Sequence, residues 1–240
     1  MRLPSSFAAL PCLLLLACTS APSAIQHPVA PRSPAKEAAA AASQASSEAE
    51  AHAAALEQLA VAPYALRTDR QQSIKLPLAD PRSWRRVRFL GIKSLVGYRY
   101  GKDHHAVAGA FILTVKDRTP ETCQTAFENW AKPWLEVFDV RIEMGKPVGF
   151  TWRNTLKPTE PPEVLSAVTL QAGTSSLMAQ EKYQATYAIY PAWPDKCLVV
   201  GMAVASRGEE ARARKARDRF AEEVFSKLEV TSPTAPTKEY

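Results

Sequence analysis

The sequence predicts an α+β domain, an antiparallel sheet of about six or seven strands flanked by two main helices. Stretches of period-2 apolar alternation recur between residues 83 and 116 and again between 148 and 206. One well-signalled helix separates the two groups and a second follows the last strand. The connections are short, which favours antiparallel neighbours.

"SWRRVRFL" (83–90) and "SLVGYRYG" (94–101) alternate as half-buried strands, and with Gly91 between them they read as a hairpin. "HHAVAGAFILTVK" (104–116) is longer and more apolar, as suits a central strand, and residues 101–103 form the turn before it. Thr119 then caps a helix with Pro120 at its first position and Glu121 complementing the helix dipole. Cys123, Ala126, Phe127, Trp130 and Trp134 recur at three- and four-residue spacing and make the stripe that faces the sheet. Pro133 removes an internal hydrogen bond and clashes with the carbonyl of Asn129, so a kink or break is expected there.

Strands resume at "VGFTWR" (148–153), "VLSAVTLQAG" (164–173), "YQATYAIYP" (183–191) and "KCLVVGMAVAS" (196–206), with a proline-rich loop at 154–163. The last helix begins at Ser206, with Glu209 completing a capping box, and runs to about Leu228. Its apolar positions 213, 216, 220, 224 and 228 keep helical spacing. The folded unit spans residues 64–230, and 231–240 form a loose tail.

The entry "SIKLPLADPRSW" (73–84) and the closing "FAEEVFSKLEV" (220–230) resemble the corresponding parts of PsbP-like and DcrB-like domains. That resemblance implies an α/β sandwich in which a long C-terminal helix packs back across the sheet. A cystatin-like arrangement is the alternative.

The N-terminal quarter is of another kind. Arg2 precedes an apolar run over residues 7–17, too short to span a bilayer, and residues 1–17 have the layout of a secretory signal peptide. "LLAC" (15–18) resembles the bacterial lipobox, although Leu16 stands where smaller residues are common. The resemblance implies that Cys18 is the lipid-attachment residue and that Cys12 is discarded with the signal. It also implies that Thr19, which is not an aspartate, directs the anchor to the outer membrane. An ordinary signal peptide cut near Ala21 or Ala24 is the alternative. Residues 18–63 hold no aromatic side chain and read as an Ala/Pro/Ser-rich tether. Prolines keep its first part extended, while 36–62 are strong helix formers that reach roughly 40 Å if wholly helical. Leu56, Leu59 and Val61 are placed to dock its end on the domain.

With Cys12 and Cys18 assigned, Cys123 and Cys197 remain, and an exported domain with two cysteines invites a disulfide. Closing a loop of about 75 residues stabilises by roughly 4 kcal/mol through lost unfolded-state entropy. Two buried thiols are the alternative.

No G-x-S-x-G elbow, P-loop, H-E-x-x-H, C-x-x-C or dinucleotide-binding glycine pattern occurs. No catalytic pair can be named, and no cofactor or metal is expected. "DHH" (103–105) matches one motif of a larger phosphoesterase class but lacks its companions, and reads as a turn and strand start. Adjacent strand histidines point to opposite faces, and His27 and His52 in the tether have no defined geometry for a metal.

Residues 64–230 carry a net charge of +7. The excess gathers at Arg82, Arg85, Arg86 and Arg88 and again at Arg212, Arg214, Lys215, Arg217 and Arg219, of which Arg212, Lys215 and Arg219 share a helix face. Arg85, Arg86, Arg88, Arg212, Lys215 and Arg219 therefore make the candidate partner-binding surface. Its expected partners are an envelope protein, anionic lipid or lipopolysaccharide, and not nucleic acid; a plain solvated face is the alternative. The function expected is a non-catalytic binding or assembly module on the periplasmic side of the outer membrane. A small-ligand carrier or hydrolase is the second reading, with a groove near Trp130, Trp134, Trp152 and Trp193.

Overall fold

The computed structural model describes residues 34–66, 74–87, 96–117, 119–137, 139–173 and 181–231. Its elements in order are α1 (Pro34–Val61), β1 (Tyr64–Leu66), β2 (Ile74–Lys75), β3 (Pro77–Ala79), β4 (Trp84–Val87), β5 (Val96–Tyr100), β6 (Ala106–Thr114), α2 (Pro120–Val137), β7 (Arg141–Met144), β8 (Val148–Trp152), β9 (Glu163–Gly173), β10 (Lys182–Trp193), β11 (Lys196–Ala205), α3 (Glu210–Val224) and β12 (Glu229–Val230).

Every described strand pair is antiparallel. The main sheet runs β4-β5-β6-β11-β10-β9-β7, and β8 also pairs with β9, which makes eight strands rather than six or seven. Two meanders, β4–β6 and β9–β11, are joined where β6 lies against β11, from Thr114↔Lys196 to Ala106↔Val204. Along the outer edge of β9, residues 163–167 pair with β8 and residues 170–173 with β7. The extra strand is β7, in which Arg141-Ile142-Glu143-Met144 alternates polar and apolar but over four residues only. Gly109 in β6 is required by close approach, because a Cβ there lies 2.8 Å from the carbonyl oxygen of Val96.

Side-chain alternation divides each central strand between two faces. Ala106, Ala108 and Ala110 of β6, Leu198, Val200, Met202 and Val204 of β11, and Ala188 and Tyr190 of β10 enter the larger core, shared with α1 and α3. Val199 and Tyr187 point the other way, toward Phe127 of α2. The α2 side is thinner, and a disulfide between Cys123 of α2 and Cys197 of β11, Cα–Cα 5.6 Å, fastens it.

At the start of α2 the Thr119 hydroxyl accepts the Thr122 N–H at 3.1 Å. The helix does not end at Pro133 but continues to Val137. Asn129 and Pro133 are both exposed, so water can satisfy the carbonyl that proline leaves without a donor.

The last helix departs from expectation at its start. Arg207 and Gly208 take positive φ values of 43° and 86°, and that tight turn delays α3 to Glu210. Ser206 is not its side-chain cap: its carbonyl accepts Glu209 N–H at 2.7 Å, and its hydroxyl is buried. Ala213, Ala216, Phe220 and Val224 are buried along the predicted stripe. Beyond α3, the indole of Trp152 donates to Leu228 O at 3.0 Å and Tyr190 donates to Phe225 O at 3.0 Å, which fixes the closing segment to the sheet.

Three helices, not two, build the domain. The core reaches upstream of residue 64, because the last turns of α1 bury His52, Leu56, Leu59 and Ala60 against α3 and β3. Leu56 and Leu59 dock as expected, whereas Val61 is 53% exposed. Residues 37–51 of the helix are exposed. Each buried leucine contributes roughly 1.5–3 kcal/mol to that docking. Leu56→Ala is expected to destabilise the chain by about 2–5 kcal/mol in urea unfolding, and Val61→Ala by less than about 0.5 kcal/mol.

Candidate functional site

Three histidines converge where β6 begins, β11 ends and β10 begins. His52, on α1, is 1% exposed and His105, at the mouth of β6, is 7% exposed. Their Nδ1 atoms lie 2.8 Å apart. His52 Nε2 lies 3.1 Å from Ala205 O and 3.3 Å from Ser206 O. Two carbonyls accept only, so His52 carries its proton on Nε2 and presents a lone pair at Nδ1. His105 must then donate from Nδ1, which leaves its lone pair on Nε2. Two neutral imidazoles thus form one matched hydrogen bond.

The turns around the pair are bent to make it. Gly101 has φ 72°, His104 φ 54°, Arg207 φ 43° and Gly208 φ 86°, four of the six positive-φ residues described. A Cβ on Gly101 would lie 2.7 Å from Cδ2 of His105, so the ring fits only beside glycine. His104 occupies the turn rather than the strand, and Arg99 donates to its Nε2. Arg207 bridges three segments: it donates to a Glu181 carboxylate oxygen and, at 2.7 Å, to Asp103 O. Tyr183 donates to the second Glu181 oxygen at 2.9 Å. Glu48, Ala45 and Ala49 of α1 complete a shallow cleft over the pair with Asp103 and Arg207.

Burial above all, then the Arg207 guanidinium, holds His52 below the ordinary histidine range, against the opposing pull of the Ser206 and Ala205 carbonyls. His105 is lowered by burial, then by His52 and Arg207. His104 is lowered by burial, then by Arg99 and Arg207. The arrangement can accept protons, bind an anion once charged, and couple either event to the seating of α1. Among the described residues, no three or more His, Cys, Asp or Glu side chains are grouped to hold a metal ion.

The other predicted residues fall elsewhere. Lys215 pairs with Glu57 at 3.3 Å, and Arg219 donates to Ala60 O while its guanidinium lies 5.8 Å from the Tyr64 ring centre. These two basic side chains clasp α1, and Arg212 pairs with Glu209 at 2.7 Å. Arg85 and Arg86 are exposed on edge strand β4, beside exposed Arg82. Cys18 and Arg88 lie outside the described residues. Trp130, Trp152 and Trp193 do not line one groove: Trp152 and Trp193 are buried in the larger core, whereas Trp130 lies tilted against Phe111 on the α2 face, centroids 4.3 Å apart; the Trp134 side chain lies outside what is described. Sequence reasoning missed His52, although its spacing to Leu56 and Leu59, positions i, i+4 and i+7, marks one helical face.

Fold and site define an α+β protein whose eight-stranded antiparallel sheet has helices on both faces and a buried histidine pair under the first of them. No family model matches the chain, and no curated protein matches its sequence. Among solved structures it is similar to cyanobacterial PsbP (CyanoP) from Synechocystis sp. PCC 6803, with 13% identity and a TM-score of 0.47 over 71% of this chain and 94% of that one. No helix among the described residues is long and apolar enough to cross a membrane.

Gly101→Ala forces a side chain both into positive φ and against the His105 ring. It is expected to destabilise by roughly 1–3 kcal/mol in urea unfolding, and a change within 0.5 kcal/mol contradicts the stated packing.

Proposed function

We propose that this chain is a lipoprotein of the bacterial cell envelope, anchored through Cys18 in the outer membrane with its domain on the periplasmic side. In this reading the domain is a non-catalytic module that binds an anionic envelope component, whether lipid, lipopolysaccharide or an acidic protein surface. The lipobox-like stretch supports the anchor, and the buried disulfide suits an oxidising compartment. The 28 residues of α1 rise about 42 Å, and the helix is seated in the domain at its C-terminal end, as a spacer requires.

One observation carries the binding reading. Arg82, Arg85 and Arg86 are exposed and make no ion pair among the described residues, and Arg85 stands directly across from Arg99 in the β4–β5 pair. Like charges directly opposed on a sheet are unfavourable, and an anion placed between them relieves the repulsion. The binding surface is accordingly assigned to the β4 edge, with Arg88 next in sequence, rather than to Lys215 and Arg219, which hold α1.

Labelled palmitate is expected to enter the wild-type chain and not Cys18→Ser; an unacylated mature N-terminus beyond Cys18 contradicts the anchor. Soluble Cys18→Ser protein is expected to co-sediment with outer-membrane vesicles at 50 mM NaCl and to lose about tenfold or more of that binding at 300 mM. The Arg82→Glu/Arg85→Glu/Arg86→Glu variant should lose it at low salt. Salt-insensitive binding, or full binding by that variant, contradicts the basic edge.

A further inference from the structure

α1 meets the rest of the domain through two kinds of contact. Leu56 and Leu59 are buried apolar anchors, and His52, one turn nearer the N-terminus, is a polar one joined to His105 across 2.8 Å. The geometry points to a proton-operated latch: while the imidazoles of His52 and His105 are both neutral, α1 is held at the start of its C-terminal third, and acidification releases the helix at His52 from the sheet.

The hydrogen-bond pattern dictates what protons do there. Because His52 Nε2–H is committed to the carbonyls of Ala205 and Ser206, and His105 donates from Nδ1, only two nitrogens remain to be protonated. The first extra proton enters on His105 Nε2. It leaves the bond between the rings intact but puts a cation in a site 7% exposed. The second must enter on His52 Nδ1, the atom that accepts the bond, and sets N–H against N–H at a separation that holds one proton. Release places both rings in water, where each charges freely.

The surrounding charges do not cancel this cost. Glu48 approaches from α1, Asp103 and His104 from the turn between β5 and β6, Arg99 from β5, Glu181 and Tyr183 from the start of β10, and Arg207 from the turn before α3. Glu181 favours protonation but is already paired with Arg207, which opposes it, and Asp103 and exposed Glu48 are the remaining nearby acids. Both rings consequently titrate below the ordinary histidine value. The sign follows: a folded-state value lowered below about 6.5 means that docking is fully supported above that pH and weakens as pH falls through it. Each histidine that charges on release lowers the docking constant by up to about tenfold per pH unit below that point.

Residues 37–51 are exposed and, among the described residues, make no hydrogen bond or ion pair to the sheet or to α3, so release at His52 extends the undocked part of the helix toward Leu56. The latch acts whether or not Cys18 is acylated, so its failure and that of the lipoprotein reading are separable.

Hydrogen exchange of the mature chain at pH 7.5 and pH 5.5, corrected for intrinsic exchange rates, tests it. Amides in residues 48–56 are expected to lose about tenfold or more of their protection at pH 5.5 while β10 and β11 keep theirs. In His52→Gln/His105→Gln, whose amides supply the same donors and acceptors without titrating, the loss should vanish. Unchanged protection of 48–56 in the wild type overturns the latch, as does simultaneous loss in the central strands, or an undiminished response in the double variant. The wild-type comparison stands even if the double variant does not fold.

Discussion

A helix built from alanine has little to bury, so the seating of α1 depends above all on its three largest buried side chains, His52, Leu56 and Leu59, spaced to lie on one face. The two leucines supply hydrophobic attraction, and the histidine supplies position: it meets a single partner and two fixed carbonyls. Much of the surrounding detail serves that meeting. Gly101 clears room for the His105 ring, the turns at His104 and Arg207 run through positive φ, and Lys215 and Arg219 of α3 hold the far end of the same helix. An N-terminal segment with the composition of a linker becomes part of the domain.

The sheet beneath explains why both faces need cover. Alternation along β6, β10 and β11 divides apolar side chains between α1 and α3 on one side and α2 on the other, and the shares are unequal. The larger core includes Trp84, Trp152, Tyr98, Tyr190 and Phe220, all buried. On the smaller side Val115 packs on the Cys123–Cys197 bridge and Phe127 lies near Tyr187. A crosslink that closes a separation of 74 residues is well placed there, because it stabilises through the unfolded chain where packing contributes least.

What could be read in the sequence follows from periodicity. β4, β5, β6 and β8 to β11 and the buried stripe at 213, 216, 220 and 224 leave a repeating apolar signal, and Thr119-Pro120-Glu121 marks a helix start. β7 alternates over only four residues, too short a run to stand out, and the start of α3 differs from expectation because Ser206 and Glu209 spell a capping box whose geometry the Arg207–Gly208 turn prevents. The basic face of α3 illustrates a different limit. Helical spacing correctly aligns Lys215 and Arg219, but only the fold reveals that another helix occupies that face. His52 was hidden by its neighbours: one imidazole amid alanines and glutamates looks solvated until its partner 53 residues away is known.

The proposed function and the proposed latch rest on two features of unlike character, an exposed arginine edge at β4 and a buried pair of imidazoles under α1. The first needs salt to reveal it and the second needs protons, and the fold keeps them on different elements. The account stands most directly on the protonation pattern of the pair. A long-range 1H–15N imidazole spectrum at pH 7.5 should show two neutral rings of opposite tautomer, His52 protonated at Nε2 and His105 at Nδ1. Two rings of the same tautomer, or two solvent-averaged rings titrating like free histidine, would contradict it.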